Sequence, residues 1–160
     1  MADPIAAATA VFEKDVGIWD AEVEIRPGPD APVVKQKGVS TNRLLGGGRW
    51  LIVDYRADSG FEGHGIYGWD AARERYTAAW VDSAQTCIAR GEGTWDPDSR
   101  TMTFLMEATH QGHSIRYREI TETRPDGTQL YRNLIATPDG SEMELIRTIY
   151  RPRAGARSGS

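Results

Sequence analysis

Gly17-Ile18-Trp19-Asp20-Ala21-Glu22-Val23-Glu24-Ile25-Arg26 is the stretch on which the fold turns. Trp19, Ala21, Val23 and Ile25 alternate with Asp20, Glu22, Glu24 and Arg26. A period of two with one apolar and one charged face is that of a half-buried strand. The residues before it follow a helical period instead. Asp3 is a suitable N-cap and Pro4 suits the first helical position. Ala-rich sequence then runs to about Lys14, placing Ile5, Ala8, Phe12 and Val16 near one face, and Gly17 ends the helix. On the other side Pro27-Gly28-Pro29-Asp30 breaks the strand.

Strand-like runs follow at the short spacing of an antiparallel meander. They are Val34–Leu45, Trp50–Ala57, Phe61–Trp69, Arg75–Asp82, Cys87–Trp95, Thr101–Ala108, Ser114–Glu122, Thr128–Ala136 and Glu142–Tyr150. The connectors are chemically explicit: Gly46-Gly47-Gly48, Asp58-Ser59-Gly60, Pro125-Asp126-Gly127 and Pro138-Asp139-Gly140 supply turn residues. With the first strand the total is ten, and no second helical pattern is long enough for a parallel crossover. A sheet of that width curls and closes, which removes its edges. The predicted fold is all-β, a closed antiparallel up-and-down barrel of about ten strands of the calycin type. A short N-terminal helix plugs or covers one end. Residues 1–152 form this single domain, and the basic stretch 153–160 is expected to be a flexible tail.

The bulk composition sets limits on function. The 160 residues carry 39% hydrophobic and 26% charged side chains, the balance of a soluble globular domain. Val, Leu, Ile and Phe are scarce, and five Trp and six Tyr make up the deficit. A net charge of −4 argues against a nucleic-acid partner. No apolar run approaches bilayer-spanning length, and the N-terminus lacks the basic and apolar regions of a signal peptide, so no membrane association is expected. The lone Cys87 allows no internal disulfide and fits a cytoplasmic location. Asp98, Asp126 and Asp139 mark turns, and no P-loop, paired-Cys metal spacing or nucleophile elbow is present.

Several motifs carry a family resemblance. Gly17-Ile18-Trp19 after a short helix resembles the Gly-x-Trp pattern of lipocalin-like barrels. That resemblance implies a Trp closing the barrel floor beneath a late-strand Arg, with Arg147 and Arg151 as candidates. More specific are Ser40-Thr41-Asn42-Arg43-Leu44-Leu45-Gly46-Gly47, Phe61-Glu62-Gly63-His64-Gly65-Ile66-Tyr67-Gly68-Trp69-Asp70, Trp80-Val81-Asp82-Ser83 and Glu92-Gly93-Thr94-Trp95-Asp96. Together with the closing Tyr150-x-Pro-Arg they resemble the bacterial domain-of-unknown-function family 1579. The resemblance spans nearly the whole chain after residue 15. It implies a lipocalin-like barrel and no assigned activity, with His64 standing where an aliphatic residue is expected.

Candidate site residues follow from strand faces. Tyr76, Ala78, Trp80 and Asp82 share one face, as do Met102, Phe104, Met106 and Ala108. Glu62, His64, Ile66 and Gly68 oppose Gly63, Gly65, Tyr67 and Trp69, and alternation alone leaves open which set faces inward. His64 would serve as a general base or ligand-orienting donor if it faced a pocket, and as an ordinary hydrogen-bonded strand residue if it faced out. Asp54, Tyr55, Glu92 and Glu107 read mainly as an outer, solvated set. Asp82 is set apart because it ends the aromatic-rich face. Arg116, Arg118, Arg132 and Arg147 form either an anion-binding patch or outer cross-strand ion pairs with Glu119 and Glu144, and the ion-pair reading is favoured. His110 and His113 flank Gly112 without a completing ligand, so no metal is expected. No His occurs on the last two strands to hold a haem, and no cofactor is expected. Cys87 reads as a buried filler.

The primary expectation is a small-molecule-binding barrel for a small, largely apolar ligand, acting as monomer or homodimer. His64, Tyr67, Tyr76, Trp80, Phe104, Met106, Tyr117, Tyr131 and Arg116 are its candidate contacts. The alternative is a cofactor-independent enzyme of cyclase, isomerase, lyase or hydratase type, with His64, Asp82 and Tyr55 as acid–base residues acting on a confined substrate.

Overall fold

A computed structural model describes residues 2–155. The N-terminal segment is a short α-helix, α1 (Pro4–Thr9), continued by a 3₁₀ segment over Ala10–Asp15. Ten strands follow: β1 (Gly17–Ile25), β2 (Val34–Leu45), β3 (Trp50–Ala57), β4 (Glu62–Asp70) and β5 (Arg75–Asp82), then β6 (Ala89–Asp96), β7 (Thr101–His110), β8 (His113–Thr123), β9 (Gln129–Ala136) and β10 (Glu142–Pro152). Each strand pairs antiparallel with its sequence neighbour, and β1 pairs with β10 from Trp19↔Pro152 to Ile25↔Ile146, closing the barrel. The predicted fold class is the observed one. Among the described residues no helix is long and apolar enough to cross a membrane.

The helix is shorter than the Ala-rich pattern predicts. Asp3 caps it by accepting from the Ile5 amide at 3.0 Å, but regular α-helix stops at Thr9, whose hydroxyl turns back onto the Ile5 carbonyl. The tighter winding that follows delivers Asp15 to the barrel floor, where it meets three strands. Its carbonyl accepts from the Trp19 indole at 3.0 Å and the Asn42 amide at 2.9 Å, and its carboxylate accepts from the Gln129 amide at 2.6 Å. Phe12 and Trp19 are each only 2% exposed beside this anchor. The Tyr76 hydroxyl donates to the Ala8 carbonyl at 2.8 Å, tying the helix to β5.

The floor explains how a chain short of aliphatic residues builds a core. Phe12 packs edge-on to Tyr76 at 5.7 Å, Trp69 packs on the same ring at 4.8 Å, and Met102 and Met106 fill the remaining space. Each such ring pair contributes about 0.5–1.5 kcal/mol beyond the area it buries. Asp70 and Asp96, which follow Trp69 and Trp95, accept backbone N–H groups of the succeeding turns.

Four details depart from expectation. Arg147 pairs with Glu144 and Arg151 with Glu22 on the outer wall, so neither covers Trp19. β6 begins at Ala89, leaving Cys87 in the preceding loop, half-buried, with its thiol on the Gln85 side chain. A register shift between Glu144 and Ile146 puts one extra residue into β10, where the Leu145 carbonyl accepts from the Arg26 amide. Arg153 is still held: its amide donates to the Ile18 carbonyl and its guanidinium pairs with Asp20. The rest of the expected tail, residues 156–160, lies outside the described residues.

β4 settles the question that alternation leaves open. A Cβ on Gly63 would strike the Trp80 indole, and one on Gly65 would lie 2.7 Å from the Tyr67 ring and 3.1 Å from Trp80. Only glycine lets the Trp80 ring of β5 lie across the inner face of β4. Gly63, Gly65, Tyr67 and Trp69 therefore face inward, and His64 and Ile66 face out. Gly63→Ala is expected to lower stability by about 1–3 kcal/mol through overpacking and to shift the Trp emission. Gly28→Ala, where an added Cβ meets nothing within 4 Å, should stay within about 0.5 kcal/mol of the parent in the same urea melts.

Candidate functional site

The inner faces of the strands enclose a cavity of about 670 Å³ that opens between the loops opposite the helix. Phe61, Gln85 and His110 line its mouth end, and Phe12, Lys14 and Asp15 its floor. The wall between is largely apolar, with Val23, Val53, Trp80, Phe104, Ile135 and Ile146 among the lining side chains.

Besides Asp15 and Asp82, a third carboxyl lines this cavity. On β8, Ile115, Tyr117, Glu119, Thr121 and Thr123 share the inner face, so alternation itself carries Glu119 into the lumen. It is 9% exposed, and among the described residues no Lys or Arg forms an ion pair with it. Burial pushes its carboxyl up to about 7, against a smaller lowering by the hydrogen bond from the Tyr131 hydroxyl. Four phenols surround it: Tyr117 on β8, Tyr131 on β9, Tyr150 on β10 and Tyr67 on β4. Burial raises each above the ordinary phenol range, and the Glu119 charge adds to the rise in all four. These hydroxyls consequently stay protonated and act as neutral donors or acceptors.

Among the described residues, two further polar groups of the cavity wall lack partners. Asn133 on β9 hydrogen-bonds Tyr131 on one side, while its side-chain oxygen is buried without a protein partner. The Tyr55 hydroxyl on β3 is likewise buried and unpartnered. Both residues line the cavity and are 8% exposed. A buried polar atom without a partner costs about 1–3 kcal/mol, so such atoms mark a place where another molecule can complete the bonding.

The structure brings together most of the predicted contacts. Tyr55, Tyr67, Trp80, Asp82, Phe104, Tyr117 and Tyr131 all line the cavity. Tyr55 thus leaves the outer set to which its neighbours Asp54, Glu92 and Glu107 belong. Asp82 is already engaged, accepting from the Trp80 indole and from the Ala84 amide, each at 2.9 Å. Tyr76 belongs to the floor, and Met106 is buried against Gly91 within the packed core.

Two predicted residues lie elsewhere. His64 is on the outer wall, where its Nδ1 hydrogen-bonds the Asp54 carboxylate at 2.6 Å across the β3–β4 pair, because the glycine face of β4 is the inner one. Arg116 is 82% exposed in its side chain and pairs with Glu107. Arg118 pairs with Glu142 through two contacts of 2.6 Å. The outer ion pairs therefore form, but with partners other than Glu119. The charge of Glu119 favours the outer face, and the parity of β8 overrides it. Its alternation in step with Tyr117 is the signal in the sequence that points inward.

Residues 6–152 match the model of a family described as "Protein of unknown function (DUF1579)". The chain belongs to this family. No curated protein matches it. Among solved structures it is similar to the crystal structure of Rv2717c from M. tuberculosis, with a TM-score of 0.65 and 9% sequence identity over 96% of this chain and 99% of that one. At that identity the likeness concerns the barrel alone.

The buried carboxyl has a thermodynamic consequence that can be measured. Its folded value of about 7 lies above the ordinary 4.5, so between those values the native state holds more protons than the unfolded chain. Stability is then greatest below about 4.5 and is lost as the pH rises through about 7. The loss attributable to this group is about 3 kcal/mol. Glu119→Gln, which is neutral at every pH and nearly the same shape, should remove this slope. Urea melts of both proteins at pH 5 and pH 8 measure the difference; equal slopes would show that Glu119 is not a desolvated acid.

Proposed function

We propose that this barrel binds a small molecule in its lumen, and that the ligand is compact and largely apolar with a polar end. The carrying observation is the cavity itself: about 670 Å³ with an apolar wall, and buried polar atoms of Asn133 and Tyr55 that no group among the described residues satisfies. A packed β-barrel whose only task was to be stable would fill that space with side chains. Small-molecule sites combine an enclosing apolar surface with a few placed polar groups, as this lumen does.

The supports for an enzyme are narrower. With His64 outside and Asp82 held by Trp80 and Ala84, the acid–base groups facing the lumen are Glu119 and the phenols beside it, Tyr55, and His110 at the mouth. A carboxyl titrating near neutrality is suited to proton transfer, so a catalytic version of the same site would centre on Glu119 and Tyr131.

A neutral dye that fluoresces in apolar surroundings, N-phenyl-1-naphthylamine, tests the binding reading. Ala108 on β7 lines the cavity and is 7% exposed, so Ala108→Trp places a ring in the lumen. That variant should bind the dye at least about tenfold more weakly, with its circular dichroism retained. His64→Ala, altered on the outer wall, should stay within about twofold of the parent. Equal dye affinity in Ala108→Trp and the parent would place binding outside the lumen and refute the proposal.

A further inference from the structure

The polar groups of the lumen are not scattered. Glu119 on β8 and Asn133 on β9, whose side-chain oxygen has no partner among the described residues, are paired in register, with Tyr131 next along the inner face of β9. Both present acceptors. Tyr131 neighbours both Glu119 and Asn133 closely enough that it lowers the Glu119 pKa and Asn133 lowers its own, each against the larger rise from burial. The Tyr67, Tyr117 and Tyr150 hydroxyls nearby can donate as well as accept, but among the described residues no Lys or Arg brings a positive charge to this corner. Lys14, the cation among the cavity-lining residues, is held at the floor by Asp15 at 2.8 Å and lies over the Trp95 ring.

We infer that the ligand carries an amino group, which enters as an ammonium ion and seats between the Glu119 carboxylate and the Asn133 oxygen. This deepens, and rests on, the ligand-binding reading. An ammonium offers three donors, which the Glu119 carboxylate, the Asn133 oxygen and the neighbouring phenol oxygens can accept. Its charge answers an otherwise unpaired buried carboxylate, for which a hydrogen-bonded opposite charge is the favourable partner in a low-dielectric interior. The rings of Tyr67, Tyr117 and Tyr150 add π faces that attract a cation. A carboxylate or phosphate ligand would meet repulsion in the same place. The apolar remainder of the ligand then points along Phe104 and Trp80 toward the mouth.

The proposal predicts a proton linkage. The groups facing Glu119 are the phenols of Tyr117, Tyr131, Tyr150 and Tyr67, from β8, β9, β10 and β4. Asp82 on β5 and Asp15 below the cluster contribute more distant negative charge. The phenols remain neutral across the physiological range, so Glu119 is the group that must ionise to receive the cation. With its carboxyl near 7, the ionised fraction rises about tenfold from pH 6 to pH 8.

Calorimetric titration with three matched probes, 1-naphthylmethylamine, 1-naphthylmethanol and 1-naphthoate, tests the inference. The amine should bind at least about tenfold more tightly than the alcohol at pH 8, and the carboxylate most weakly. The amine, which stays protonated throughout, should gain about tenfold in affinity between pH 6 and pH 8, while the alcohol should not. Glu119→Gln should erase both the preference and the pH dependence and still bind the alcohol. The alcohol binding as tightly as the amine at pH 8, or an unchanged amine preference in Glu119→Gln, would overturn the ammonium assignment and leave the pocket standing. Failure of all three probes and of the neutral dye to bind would overturn the ligand-binding reading together with it. The parent protein's own preference and pH dependence separate these outcomes even where the variant does not fold.

Discussion

Closure of the sheet by pairing β1 with β10 is the constraint on which everything else rests. Once the last strand meets the first, no edge remains, every backbone ladder group has a neighbour, and each strand has one face committed to the lumen. Side-chain phase then stops being a local matter. A residue is inside or outside according to its parity, whatever its polarity, and moving one strand by a single residue would exchange its entire inner and outer sets. The helix secures the closed form at one end through Asp15, which ties the floor to β1, β2 and β9 at once.

That rigidity accounts for the contents of the lumen. Trp80 requires glycine opposite it, Gly63 and Gly65 supply it, and His64 is sent to the outer wall as a consequence. On β8 the same parity carries Glu119 inward beside Tyr117. Desolvation of a carboxyl is expensive, and the Tyr131 hydroxyl relieves it only in part, so Glu119 stays protonated more readily than an exposed acid. The floor is packed with rings and sulfur, while the upper barrel is left open, and the polar groups lie on the wall of that open part.

The scarcity of aliphatic residues has a double meaning in this setting. Aromatic side chains and methionines make a dense floor from few residues, since each ring buries far more area than a valine. The same choice lines the space above with flat, polarisable surfaces and hydroxyls. A barrel filled by leucine and isoleucine would offer neither the volume nor the hydrogen-bonding groups.

The sequence by itself determined the fold class, the ten strands, their antiparallel order and the plugging helix. These depend on period, turn chemistry and strand count, which are local quantities readable one residue at a time. It also determined that the faces of β5 and β7 carrying Trp80 and Phe104 were the apolar ones. Only the tertiary structure decided which face of β4 looks inward, because that depends on a ring delivered by a neighbouring strand. It alone placed Glu119 inside, because a charged residue is driven inward by the parity of its whole strand and not by its own hydration. It also ended the α-helix at Thr9 and left Arg147 and Arg151 on the outer wall, since both outcomes depend on partners distant in the chain. Local pattern specifies what each strand can bury; closure specifies what it must.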